Sequence, residues 1–144
     1  MLVLKILESK DDNAVLTVTD DMKVSDVASF LSSKRIGAVV VSNDGATPQG
    51  ILSERDIVRE LGRRGAGCLD DKVAAIMTRD PVTCQPGDSA DQVLEMMTDG
   101  RFRHLPVMEG GRMVGLISIG DVVKARLAEL AMEKGALEGM IMGH

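Results

Sequence analysis

Two hydroxyl and carboxylate pairs stand at the same spacing in this 144-residue chain, Ser53 with Asp56 and Ser118 with Asp121. Each follows a short apolar run and precedes a helical pattern, so the hydroxyl ends a strand and the carboxylate lies in the first turn of a helix. S-x-x-D in that setting resembles a capping box, which satisfies free helix N–H groups and complements the dipole. The same carboxylate, with a hydroxyl beside it, can also accept hydrogen bonds from the vicinal hydroxyls of a ribose. The two uses are compatible. Arg55 and Arg59 begin the helix after the first pair, where they and the helix N-terminus favour an anion, although an arginine on an exposed helix face is ordinarily just solvated. Gly120 stands where Arg55 would fall in the second copy.

Catalytic readings find little support. Gly115-x-x-Ser118-x-Gly120 is not the G-x-S-x-G elbow of a serine hydrolase, and His104 has no evident triad partner. Neither G-x-x-x-x-G-K-[ST] nor G-x-G-x-x-G occurs, so a nucleotide would be held without the common phosphate loops. His104, His144, Cys68 and Cys84 are scattered without zinc-ligand spacing, and Cys84, in an apolar stretch, reads as a small buried residue. Met96, Met97, Met132, Met140 and Met142 read as packing.

The elements that position these groups come as an internal repeat. Gly50-Ile51-Leu52-Ser53-Glu54-Arg55-Asp56-Ile57-Val58 recurs at an offset of 65 residues as Gly115-Leu116-Ile117-Ser118-Ile119-Gly120-Asp121-Val122-Val123. Upstream, Val39-Val40-Val41 aligns with Leu105-Pro106-Val107 and Val27-Ala28 with Val93-Leu94 at an offset of 66. Each copy predicts a short strand (15–19; 82–84) and a helix carried by Val24, Val27, Ala28 and Leu31 or by Ala90, Val93, Leu94 and Met97. Two strands follow (36–41 and 50–52; 102–107 and 113–117), joined by turns at Asn43-Asp44-Gly45 and Glu109-Gly110-Gly111. A second helix closes each copy (54–61; 119–132). The order is β-α-β-β-α twice, an α/β (α+β) fold with repeats over 1–65 and 66–130 and a helical tail over 131–144. Glycines 62, 65 and 67 break the helical pattern between copies, Val73 to Met77 leads into the second copy, and Val3 to Leu7 matches it as the lead into the first. From Gly135 onward the helix is expected to fade into a loose end or an interface segment.

Composition narrows the partners. Hydrophobic residues at 44% and charged residues at 27% place the chain among folding, globular sequences. Two Phe, no Tyr and no Trp argue against aromatic stacking on nucleic acid, and a net charge of −5 argues against general phosphate-backbone binding. Two cysteines make no disulfide framework, which points to a reducing, cytoplasmic setting. No apolar run approaches the roughly 18 residues of a membrane span, and the start is charged too soon for a signal peptide.

Both copies resemble the CBS domain, named for cystathionine beta-synthase, over nearly the whole chain. The resemblance rests on the Gly-apolar-apolar-Ser-x-x-Asp frames at 50–56 and 115–121, on Arg103-His104-Leu105-Pro106-Val107, and on Ile76-Met77-Thr78. It implies a disc-like pair about a pseudo-twofold axis, with two clefts that take AMP, ADP or ATP, NAD being a further candidate. Asp56 and Asp121 would hold ribose, assisted by Ser53 and Ser118. Ile36, Gly37, Ala38 and Phe102 would lie beside the adenine, with Thr17 and Thr83 as further wall residues. Arg103 and His104 stand where such modules often present cations to phosphate, with Arg55 and Arg59 adding charge in the first copy, so the clefts should differ. His104 fits a half-buried, hydrogen-bonded role equally well. The implied function is an energy-sensing regulatory module without enzymatic activity, catalytic cofactor or metal, which modulates a protein partner or its own assembly. The alternative is a structural interaction module with no physiological ligand. These 144 residues show no effector domain, so the output is expected to pass to another chain. Leu127, Leu130, Ala131, Leu137 and Ile141 extend an apolar face past the second repeat, from which a homodimer is expected.

Overall fold

Ala38-Val39-Val40-Val41 is buried along its whole length, as a strand covered on both faces must be. The computed structural model describes residues 1–10 and 14–141. Its first half runs α1 (Val3–Ser9), β1 (Thr17–Val18), α2 (Val24–Lys34), β2 (Ala38–Val41), β3 (Gly50–Ser53), α3 (Glu54–Arg64) and, after two 3-10 turns, β4 (Thr78–Arg79). The second half runs α4 (Ala90–Gly100), β5 (His104–Glu109), β6 (Arg112–Ser118) and α5 (Ile119–Ile141).

In the first repeat β1 lies parallel to β2, β3 antiparallel on the other side of β2, and β4 antiparallel to β3. The second repeat keeps the hairpin β5–β6, while its first strand shrinks to a single parallel bridge from Cys84 to Val107. Gly110 and Gly111, at φ of +59° and +78°, form the two-residue turn of that hairpin, which needs positive φ at both central positions. Both repeats follow β-α-β-β-α order, and the two halves repeat each other as a pseudo-twofold pair.

Several boundaries differ from the sequence reading. α3 runs through Gly62 to Arg64 and stops at Gly65, whose φ of +75° suits glycine. Arg63 and Arg64 both pair with the buried Glu60, which offsets the poor helix propensity of Gly62. α5 continues through Gly135 to Ile141, so the expected fading does not occur among the described residues; Met142 and His144 lie outside them. β4 had no sequence signal, being two exposed residues held by pairing to β3.

The lead-in segments pack in exchanged positions. Val3, Ile6 and Leu7 of α1 were read as leading into the first repeat, yet they enter the core of the second, among Val93, Met97, Leu105, Val107, Ile117 and Val122. Val73, Ile76 and Met77 were read as leading into the second repeat, and they enter the core of the first, with Val24, Val27, Leu31, Val39 and Leu52. Backbone pairing agrees: Leu2 bridges Ser89 at the start of α4, and Lys23 at the start of α2 bridges Lys72. Lead-in and repeat are complementary because each apolar stripe meets a sheet face that its own repeat leaves uncovered.

Candidate functional site

Both S-x-x-D motifs form the expected reciprocal caps. Asp56 N–H donates to Ser53 Oγ at 3.2 Å and Asp56 Oδ2 accepts the Ser53 N–H at 3.0 Å. Asp121 N–H donates to Ser118 Oγ at 3.1 Å and Asp121 Oδ2 accepts the Ser118 N–H at 2.9 Å. Beyond the caps the two carboxylates differ. Asp56 is buried, its Oδ2 also accepts from Ser53 Oγ, and its Oδ1 accepts from Arg59 at 2.9 Å. Asp121 is half-buried, its Oδ2 accepts from Lys10 Nζ at 3.0 Å, and among the described residues no donor reaches its Oδ1.

A cavity of about 500 Å³, within the size range of small-ligand sites, opens on the Ser118 side. Its lining crosses between the repeats: Ser118, Leu116 and His104 face Ile36, Gly37 and Ala38, with Ala14 to Leu16 ahead of β1. Lys10 and Lys34 add two cations to this wall of an otherwise acidic chain. The Glu54 N–H donates to the Gly37 carbonyl at 2.8 Å and the Ile119 N–H to the Arg103 carbonyl at 2.8 Å, so each strand start is tied to the helix that follows its own motif. Lys10 reaches the site because α1 belongs to the second repeat's core, and its Nζ also donates to the Leu116 carbonyl at 3.0 Å.

Burial would raise the Asp121 carboxyl, but the Ser118 amide and the Lys10 ammonium outweigh it and hold the group below the ordinary carboxylate value. His104 is pushed down by burial, with Asp121 pulling up and Lys10 and Arg103 pushing down. At neutral pH it is therefore an uncharged imidazole with one N–H donor rather than a cation.

Of the residues singled out from sequence, Ile36, Gly37, Ala38, His104 and Ser118 line this cavity, and Asp121 adjoins it through Lys10. Thr17 lies in β1 one residue beyond the lining, and Thr83 is exposed, next to the Cys84 bridge. Phe102 packs on the second repeat's core. Arg55 and Arg103 are exposed, and Arg59 is engaged by Asp56. Lys10, Lys34 and Ala14 went unread, Val15 and Leu16 were read as strand rather than as lining, and only the lead-in exchange could have pointed to Lys10. Among the described residues no group of three or more His, Cys, Asp and Glu is placed to hold a metal ion, and no helix is long and apolar enough to cross a membrane.

Comparison with known proteins gives a consistent picture. The CBS domain family model matches residues 12–63 and 73–128. The chain is 34% identical over 145 residues to the CBS domain-containing protein CBSX3, mitochondrial, of Arabidopsis thaliana, covering 98% of this chain and 70% of that protein. It also matches longer proteins of that plant, of which it spans about a quarter. The crystal structure of a CBS-domain containing protein from Agrobacterium tumefaciens superposes with a TM-score of 0.83 at 45% identity, covering 88% of this chain and 99% of that one. A CBS domain protein from Pyrobaculum aerophilum complexed with AMP superposes with a TM-score of 0.73 at 27% identity, covering 92% of this chain and 99% of that one.

Proposed function

The chain belongs to the CBS domain family, and from that premise we propose that it is an adenine-nucleotide-binding regulatory module, not an enzyme, with its ligand in the cavity between the Ile36–Ala38 strand start and the Ser118/Asp121 motif. One observation carries the reading: Asp121, paired with the Lys10 that lines the cavity of about 500 Å³, has a carboxylate oxygen that no described residue occupies, whereas both oxygens of Asp56 are engaged. A free carboxylate oxygen is what a ribose hydroxyl requires as acceptor. The main chain of Ile36 to Ala38 would read the adenine edge, and the lysines favour an anionic ligand over a neutral one. The Pyrobaculum protein complexed with AMP supports an adenosine compound. The first cleft, its carboxylate closed by Arg59, would fill less readily or stay empty.

The regulatory output would pass through assembly or a partner chain. Leu127, Leu130, Leu137 and Ile141 of α5 are exposed, and a second copy covering them would make a homodimer. Two buried free cysteines suit a reducing compartment such as the cytoplasm. The test is isothermal titration of nucleotide-stripped protein with AMP, ADP, ATP, NAD and S-adenosylmethionine, repeated on Asp121→Ala and Asp56→Ala. Saturable binding abolished by Asp121→Ala and retained by Asp56→Ala is expected. No binding at millimolar concentration would overturn the reading and leave the motifs as helix caps in an interaction module.

A further inference from the structure

Lys10 caps the C-terminal end of α1, and its ammonium holds two acceptors at once, the Leu116 carbonyl and Asp121 Oδ2, each at 3.0 Å. It therefore already holds Oδ2 of the carboxylate whose free Oδ1 one ribose hydroxyl would use, so the second vicinal hydroxyl has to displace it. The Lys10 and Asp121 side chains are only 28% and 23% exposed, so parting them without replacement leaves two under-solvated charges. A neutral nucleoside offers hydroxyls to Asp121 and nothing to Lys10. A nucleotide offers both, hydroxyls to the carboxylate and a phosphate to the ammonium. A second cavity of about 400 Å³, lined by Lys10, Asp121, Lys124 and Ser9, lies against the same pair and gives the phosphates room beside a second ammonium. The other cleft lacks the device: Val3, Ile6 and Leu7 align with Val73, Ile76 and Met77 at an offset of 70, which puts Asp80 in the place of Lys10.

We infer that Lys10 is the specificity-determining residue of this cleft, switching partner from Asp121 to the ligand's phosphate and so selecting phosphorylated adenosine compounds over neutral ones. The inference rests on the adenosine-ligand reading above. In the intact chain, adenosine and AMP are titrated against the wild type, Lys10→Met and Lys10→Arg. Lys10→Met is expected to tighten adenosine and weaken AMP, each about 3- to 10-fold, so the preference for AMP collapses by roughly tenfold or more, while Lys10→Arg keeps it. The wild type alone gives an independent readout: rising salt weakens AMP and tightens adenosine, because it screens both ion pairs. If Lys10→Met leaves the adenosine-to-AMP ratio within about twofold, or weakens both ligands equally, Lys10 is a structural prop and the inference fails while the ligand reading stands. If the wild type binds neither compound, the ligand reading itself falls.

Discussion

Gly50 and Gly115 open the two motifs, yet neither stands at positive φ, so the missing side chain answers a packing demand rather than a backbone one. A Cβ on Gly115 would meet Leu7 Cδ2 at 2.8 Å and Cδ1 at 2.9 Å. A Cβ on Gly50 would meet Met77 Sδ at 2.7 Å and the Thr78 carbonyl oxygen at 2.8 Å. Each glycine is the seat of the lead-in that crosses from the other repeat. The obstacles differ in kind: Leu7 presents the end of a side chain that can turn, whereas the Thr78 carbonyl belongs to β4 and moves only by parting β3 from β4. Gly115→Ala is expected to cost about 1–2 kcal/mol and Gly50→Ala about 3 kcal/mol, the two ends of the overpacking range. Leu7→Ala empties a buried position and is expected to cost about 2–4 kcal/mol. Combined with Gly115→Ala, the added methyl fills part of that space, so the double variant falls short of the sum by about 1 kcal/mol or more. Urea unfolding with unchanged m-values measures all four proteins. Additivity within about 0.5 kcal/mol, or equal costs at the two glycines, would refute the seat.

Acid titration tests the buried imidazole. Folding lowers the His104 pKa below its ordinary 6.5, so the unfolded chain binds more protons just below that pH, and stability is lost as pH falls from 6.5 through the folded value. His104→Gln is expected to remove this limb from urea melts at about pH 7.5, 6 and 5. Asp121 is lowered from 3.8 and Asp44 to about 2, the latter by the Thr47 and Ala46 amides, so their stability is full above the ordinary value and is lost only as pH falls through the folded ones. Cys84, pushed up to about 12 chiefly by burial, is expected to react with a thiol reagent at neutral pH only when the chain unfolds; prompt modification of the native protein contradicts its placement. If the proposed homodimer forms through α5, Leu127→Glu with Leu137→Glu lowers the mass seen in sedimentation equilibrium to that of the monomer while changing monomer stability by no more than about 1 kcal/mol; a wild type that sediments as a monomer, or an unchanged mass in the variant, refutes that proposal.

The repeat was legible because a duplicated motif fixes its own frame: Ser53 and Asp56 could be compared with Ser118 and Asp121 before any packing was known. The hairpin turn at Gly110-Gly111 was legible for a local reason, positive φ at adjacent positions. The ownership of α1 was not, because Val3, Ile6 and Leu7 specify an apolar stripe but not which sheet face receives it. That one ambiguity hid Lys10 from the site, since a lysine assigned to the first repeat has no reason to meet Asp121. Helix ends were misjudged at Gly62 and Gly135, where glycine's poor propensity is opposed by the Glu60 ion pairs in α3 and by the exposed, weaker Lys134–Glu138 pair that spans Gly135 in α5.

The exchange of lead-ins also sets an order on synthesis. Val3, Ile6 and Leu7 leave the ribosome before the residues that bury them, which run from Cys84 to Ala125. Until those residues emerge the stripe has no native partner, while the first repeat assembles around its own lead-in at Val73 to Met77. The first core, from Val18 to Met77, can close as soon as its lead-in emerges, whereas the second stays open until both ends of the span from Val3 to Ala125 are present.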